Sequence, residues 1–160
     1  MLGTIWKRYI SPMLHRPLRV QIAALCYRHA ETGPEILLIT SRSTKRWIIP
    51  KGWPMHGTDG AGTALQEAWE EAGVKARAPR RPVRIGRYHY DKVLDGGLPV
   101  ATSVDVYAIE VEKLLDDFPE MQDRERHWMT PERAAAAVHE EQLSALLADL
   151  RGYLDDAARG

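Results

Sequence analysis

Cysteine occurs once in these 160 residues, at Cys26. No disulfide can form within the chain, so a fold stapled by bridges, as in many small secreted domains, is excluded. Cys26 lies in the apolar run Ile22–Tyr27 and reads as a buried strand residue rather than a reactive thiol. No apolar run approaches the ~20 residues of a membrane span. Residues 1–18 carry Lys7, Arg8 and Arg16 but no continuous apolar stretch and no small-residue cleavage site, which argues against a secretory leader. The cytoplasm is the expected location. Zinc-type Cys/His spacing, a Walker phosphate loop and a Ser-His-Asp set are missing, as are repeats and low-complexity tracts. Net charge is missing too, since 22 Lys and Arg balance 22 Asp and Glu.

That balance hides an asymmetry. Residues 1–54 hold nine Lys and Arg against two acids, whereas residues 105–160 hold six against fourteen. A basic first third suits a polyanionic partner, and a small-molecule polyphosphate is the expected one. Neither a membrane nor a nucleic acid is expected, because no broad basic surface continues beyond that third. Length and ordinary composition point to one domain with a real core. Its expected limits are 19–158, after an N-terminal extension over 1–18.

Elements follow from pattern. Val20–Tyr27 and Ile36–Thr40 read as strands of a hairpin across Glu31-Thr32-Gly33-Pro34. Trp47–Ile49 is a short strand stopped by Pro50. A helix is expected over Ala61–Ala72, with Gly73 as terminator. Val83–Tyr90 and Val100–Val111 are strands joined around Asp95-Gly96-Gly97. Thr130 caps a helix that Pro131 opens. A last helix spans Glu140–Leu154, with Leu143, Leu146, Leu147, Leu150 and Leu154 on one stripe. The expected fold is α/β, a mixed β-sheet between helices.

The chemistry concentrates on the first helix. At 100° per residue, Glu67, Glu70 and Glu71 fall at about 0°, 300° and 40°, while Ala61, Ala64, Leu65, Ala68, Trp69 and Ala72 fall between about 60° and 200°. Like charges at these spacings repel by a few tenths of a kcal/mol. A hard divalent cation with oxygen ligands, Mg²⁺ or Mn²⁺, is the natural offset.

The same segment resembles the signature of the Nudix hydrolase family, Gly-x5-Glu-x7-Arg-Glu-U-x-Glu-Glu-x-Gly-U with U aliphatic. Gly52, Glu67, Ala68, Glu70, Glu71, Gly73 and Val74 occupy their positions. Thr58 stands in place of the first Glu and Gln66 in place of Arg, so a Thr58–Gln66 hydrogen bond is expected where the family has an ion pair. The resemblance implies a Nudix-like α/β/α sandwich and hydrolysis of a phosphoanhydride. It implies Glu67, Glu71 and the Gly52 carbonyl as metal ligands, with Glu70 as the base. The stretch Thr40 to Gly52, and Phe118 to Trp128, is similar to the diphosphoinositol polyphosphate phosphohydrolase group. That similarity implies phosphate contacts from Thr40, Ser41, Arg42, Lys51 and one of Arg124 or Arg126. Two basic clusters of that group are reduced here, one to Arg19 and the other to Leu98-Pro99-Val100. The resemblance thus implies a small-molecule polyphosphate substrate: a nucleoside polyphosphate, a dinucleoside polyphosphate or an inositol pyrophosphate. Of these, dinucleoside polyphosphates need fewer cations than a highly phosphorylated inositol and call for an aromatic platform. Trp47, Trp53 and Trp128 are candidates for that platform. A non-catalytic nucleotide-binding module and an RNA 5′-end pyrophosphohydrolase are the competing functions.

Overall fold

The computed structural model describes residues 19–93 and 96–159, so the expected extension over 1–18 lies outside the described residues. Strand β1 (Arg19–Ala30) is buried almost continuously from Gln21 to Tyr27. Both faces of this strand are covered, which is why its sequence shows an apolar run instead of an alternation. Strand β2 (Gly33–Thr40) pairs antiparallel with one edge of β1, forming the expected hairpin. On the other edge β1 pairs in parallel with β7 (Pro99–Leu114), from Arg19 against Thr102 to Tyr27 against Glu110. Strand β6 (Val83–Val93) completes a second hairpin with β7, which turns through Gly96 and Gly97 at positive φ. Short strands fill the remaining edges: β3 (Trp47–Ile48) and β8 (Arg126–Met129) on β2, β4 (Lys51–Gly52) on β1, and β5 (Val74–Ala76) on β7.

Alternation in β1 separates two cores. Ala23, Leu25 and Tyr27 pack with Leu38, Tyr88, Val104, Leu143 and Leu147. That side is covered by α2 (Pro131–Ala137), α3 (Glu141–Ala148) and α4 (Leu150–Arg159). Ile22, Ala24 and Cys26 pack with Leu37, Ile39, Ala64 and Ala68 under α1 (Gly60–Ala72). The result is the expected α/β/α sandwich around a mixed sheet. No helix among the described residues is long and apolar enough to cross a membrane.

Several elements differ from expectation, the short strand β4 at Lys51–Gly52 among them. The helix expected over Glu140–Leu154 breaks at Asp149 (φ −93°, ψ 10°) into α3 and α4. Aspartate favours helix ends because its short carboxylate competes with the backbone, and the Asp149 carbonyl accepts the amides of Gly152 and Tyr153. Strands β5 and β8 carry little strand signal of their own. Long-range pairing supplies it, as where Met129 lies opposite Ile36 and Arg126 opposite Ile39.

Helix α1 ends at Gly73 with φ 64°, where the glycine amide donates to the Ala68 and Trp69 carbonyls. A Cβ there would lie 2.5 Å from the Phe118 ring and 3.0 Å from Arg126 Nη1. Gly73→Ala is therefore expected to lower stability by at least the ~1–2 kcal/mol of a left-handed alanine, measured by urea unfolding. An unchanged midpoint would show that this helix end relaxes freely.

Candidate active site

Helix α1 starts at Asp59, whose carboxylate accepts the Gly62 amide at 2.9 Å and pairs with Arg81 at 3.0 Å. The Thr63 hydroxyl accepts the Met55 amide at 3.2 Å, tying the preceding loop to the first turn. The buried residues of the helix are Ala61, Thr63, Ala64, Ala68, Glu71 and Ala72. This corrects the expected division of its faces. Leu65 and Trp69 are 37% and 40% exposed, whereas Glu71 is buried. The carboxylates do not lie opposite the buried face; Glu67 and Glu71 fall within the arc of buried positions that runs from Thr63 to Ala72, and Glu70 falls at its margin.

Strand β4 brings its backbone against these carboxylates. The Lys51 amide donates to Glu71 Oε2 at 3.2 Å. At Gly52 a side chain has no room, because a Cβ would overlap the Glu67 carboxylate. Glycine is needed at 52 for this close approach. Gly52, Glu67 and Glu71 are thus brought together.

Glu70 lies close enough to Glu67 for its charge to act there, and it accepts from Gln66 Nε2 at 3.1 Å. This corrects the expected Thr58–Gln66 contact: the Gln66 amide turns to the residue one helical turn on, and the Thr58 hydroxyl packs over Gly62. Glu120 joins the cluster from the β7–β8 loop, its amide donating to the Glu70 carbonyl at 3.0 Å. From sequence Glu120 stands only as an alternative base to Glu70, because the loop that delivers it is distant in the chain.

Burial and crowding show in the electrostatics. Desolvation, then the charges of Glu71, Glu70 and Glu120, push the Glu67 carboxyl up to about 7. Desolvation also raises Glu71, against the pull of Arg124. A carboxyl raised on folding contributes stability below its unfolded value and loses it as pH rises through its folded one. The stability of the metal-free protein therefore falls as pH rises from the usual carboxylate range through about 7 and stays lower above it, a cost that a bound cation would offset.

The residues expected to contact phosphate fall into two groups. Thr40 is buried, its hydroxyl accepting the Glu125 amide at 2.9 Å. Ser41 holds its own turn through Thr44 Oγ1 and the Arg46 amide. Arg126 donates to the carbonyls of Ala72 and Leu115 at 3.0 and 2.9 Å, bracing the end of α1. Arg124 is enclosed by Glu71, Glu120 and the Thr40 carbonyl. Arg42 is exposed and reaches Glu120 at 3.5 Å. The Lys51 side chain lies on the opposite face of the sheet from Glu67, its ammonium 5.6 Å from the Tyr90 ring centroid. Burial lowers its pKa, with Glu140 and Glu71 opposing.

Beside Lys51 stands Trp53, which is 42% exposed. Arg19 and Lys92 approach its ring centroid to 5.9 and 5.1 Å. Three cations from three strands therefore gather on one rim. Lys92 was not a candidate from sequence, because only the β6–β7 hairpin carries it there. Trp47 and Trp128 are partly buried, packed against the two cores.

The arrangement matches known proteins. The NUDIX domain family model matches residues 19–150. Human diphosphoinositol polyphosphate phosphohydrolase 3-alpha is 30% identical over 132 residues, covering 78% of this chain and 75% of that protein. Among solved structures, the C. elegans Ap4A hydrolase superposes with a TM-score of 0.60 at 19% identity, covering 86% of this chain and 99% of that one. A NUDIX hydrolase from Nitrosomonas europaea gives 0.64 at 15% identity, covering 85% and 90%. These structural likenesses carry the fold, and the family match carries the assignment: the chain belongs to the NUDIX family, as a Nudix hydrolase.

Proposed function

We propose that this Nudix hydrolase is a metal-dependent pyrophosphohydrolase that opens a phosphoanhydride bond in a nucleoside or dinucleoside polyphosphate. The observation that carries the reading is the seating of Gly52 on the Glu67 carboxylate, beside Glu71. Among the described residues no three His, Cys, Asp or Glu side chains enclose an ion by themselves. Two carboxylates and a carbonyl suit Mg²⁺ or Mn²⁺, which keep waters and share their remaining positions with substrate phosphates. Glu67, Glu71 and the Gly52 carbonyl would hold it, and when bound it would neutralise phosphate oxygens and activate water.

The chain's own groups do the rest. Glu70, oriented by Gln66, takes the proton of the attacking water. Lys51, Lys92 and Arg19 attract the polyphosphate, and Arg42 adds charge from the β2–β3 turn. Trp53 offers a face on which a base stacks, an interaction that any base can make. The name of the 30%-identical human relative, a diphosphoinositol polyphosphate phosphohydrolase, supports phosphoanhydride hydrolysis, and the Ap4A hydrolase shares the fold. Release of phosphate-containing products from a panel of nucleoside polyphosphates, dinucleotides and inositol pyrophosphates tests the reading. Full turnover in chelator would overturn it.

Four substitutions sharpen it. Gly52→Ala should weaken Mn²⁺ binding by about 10–100-fold, the usual cost of disturbing a ligand's support, with the fold kept; a titration of the free ion measures this. Glu70→Gln should cut turnover by ~10²–10⁴-fold, since an amide cannot take the proton; steady-state rates with unchanged turnover would move the base to Glu120 or Glu125. Thr58→Glu and Gln66→Arg should combine additively in stability, within ~0.5 kcal/mol, because their side chains do not meet. In the variant Gln66→Arg the new cation pairs with Glu70 instead. A strong coupling in the double variant would show that the family's ion pair re-forms.

A further inference from the structure

Arg124 is the expected phosphate contact whose charged side chain is enclosed among the site carboxylates. The side chain is 5% exposed. Its Nη2 lies 3.4 Å from Glu71 Oε1 and 3.2 Å from Glu120 Oε1, and Nη1 donates to the Thr40 carbonyl at 2.9 Å. Its Nε is buried without a partner. A buried guanidinium with an unmet donor is costly, and strong neighbouring negative charge must hold it there. Its position is fixed from two sides. The Glu125 amide and carbonyl pair with Thr40, and the Glu120 amide donates to the Glu70 carbonyl. The helix itself supplies no cation to the cluster, because position 66 is the neutral Gln66.

We propose that Arg124 is the resident cation of the carboxylate cluster. It neutralises Glu71 and Glu120 in the metal-free protein and opposes the charge of the divalent ion when that ion binds. It is a positioning residue, which does not touch the substrate. The inference rests on the reading of Glu71 as a metal ligand. Removing the guanidinium charge then has two opposite effects. The metal-free protein loses its internal counter-charge and is destabilised, while the freed carboxylates attract a divalent cation more strongly.

The test uses the full chain, freed of metal, with Mn²⁺ alone as probe. Binding is followed by the electron-spin signal of the free ion, and thermal unfolding is recorded with and without Mn²⁺. For Arg124→Gln the expected result is a lower Tm without metal, about tenfold tighter Mn²⁺ binding, and a larger Tm rise on adding the ion. KM should stay near that of the parent chain. Arg124→Lys keeps the charge and should keep the Mn²⁺ Kd within about twofold. A lower Tm with unmoved Kd would reduce Arg124 to a structural role and overturn the proposal. Unmoved Tm and Kd with a raised KM would make it a phosphate contact, and weaker Mn²⁺ binding would make it an aid to the ligands; either overturns it. If Arg124→Gln does not fold, Glu120→Gln decides. It leaves the guanidinium facing Glu71 alone and should weaken Mn²⁺ binding, and an unchanged Kd would overturn the proposal. Failure of the parent chain to bind Mn²⁺ would instead defeat the metal reading itself.

Discussion

Lys51 and Gly52 pair with Ala23 and Ile22 of β1, and the Ala24 amide extends the tie to the Pro50 carbonyl at 2.8 Å. This two-residue ladder sets the backbone of β4 against two carboxylates of α1, Glu67 and Glu71. Strand β1 is covered on both faces, so β4 cannot slip by one residue without exchanging its faces. A slip would drive the lysine side chain against α1 and leave the glycine over Tyr90. In the observed register the absent side chain of Gly52 admits Glu67, the Lys51 amide reaches Glu71, and the lysine stem runs to the other face. The carboxylate cluster and the cationic rim therefore lie on opposite sides of one dipeptide.

Charge is distributed by the same logic. The first third of the sequence carries a basic excess, but much of it is engaged locally. Arg28 pairs with Glu35 at 2.8 Å and lies over the Trp128 ring. Lys45 donates to the Asp123 carbonyl. Further along, Arg84 and Arg87 converge on Asp105 and hold its carboxyl below the usual range, mainly through the Arg87 hydrogen bond. Counting charge along the chain thus overstates what a ligand meets. The rim is assembled instead by topology, from the first residue of β1, the short β4 and the far end of β6.

The glycine-bounded carboxylate segment was legible because its requirements are local. A helix needs its cap and its terminator, and Asp59 and Gly73 stand at those places. The two hairpins and the Thr130 cap were legible for the same reason. The inward turn of Glu71 was not, because an angular projection shows which residues share a face and says nothing of which strand covers it. The β1–β7 parallel pairing was equally hidden, since it joins residues distant in the chain through a crossover. Arg124 shows the limit most clearly. In sequence it is one of several cations in a charged run, and only the closure of β8 onto β2 turns it inward onto Glu71.

The gathered cations bear on substrate size. A highly phosphorylated inositol presents phosphates around its whole ring and calls for clusters of cations on several sides. Here Leu98, Pro99 and Val100 occupy the hairpin end where such a cluster would stand, and Leu98 is exposed without charge. Arg19, Lys51 and Lys92 instead gather around two aromatic rings, Trp53 and Tyr90. Charge on one side and an aromatic face beside it complement a linear polyphosphate ending in a base. Under the proposed function, phosphates that draw Arg19 and Lys92 off the Trp53 ring would free its face for a base, and one rim would then serve both halves of a nucleotide.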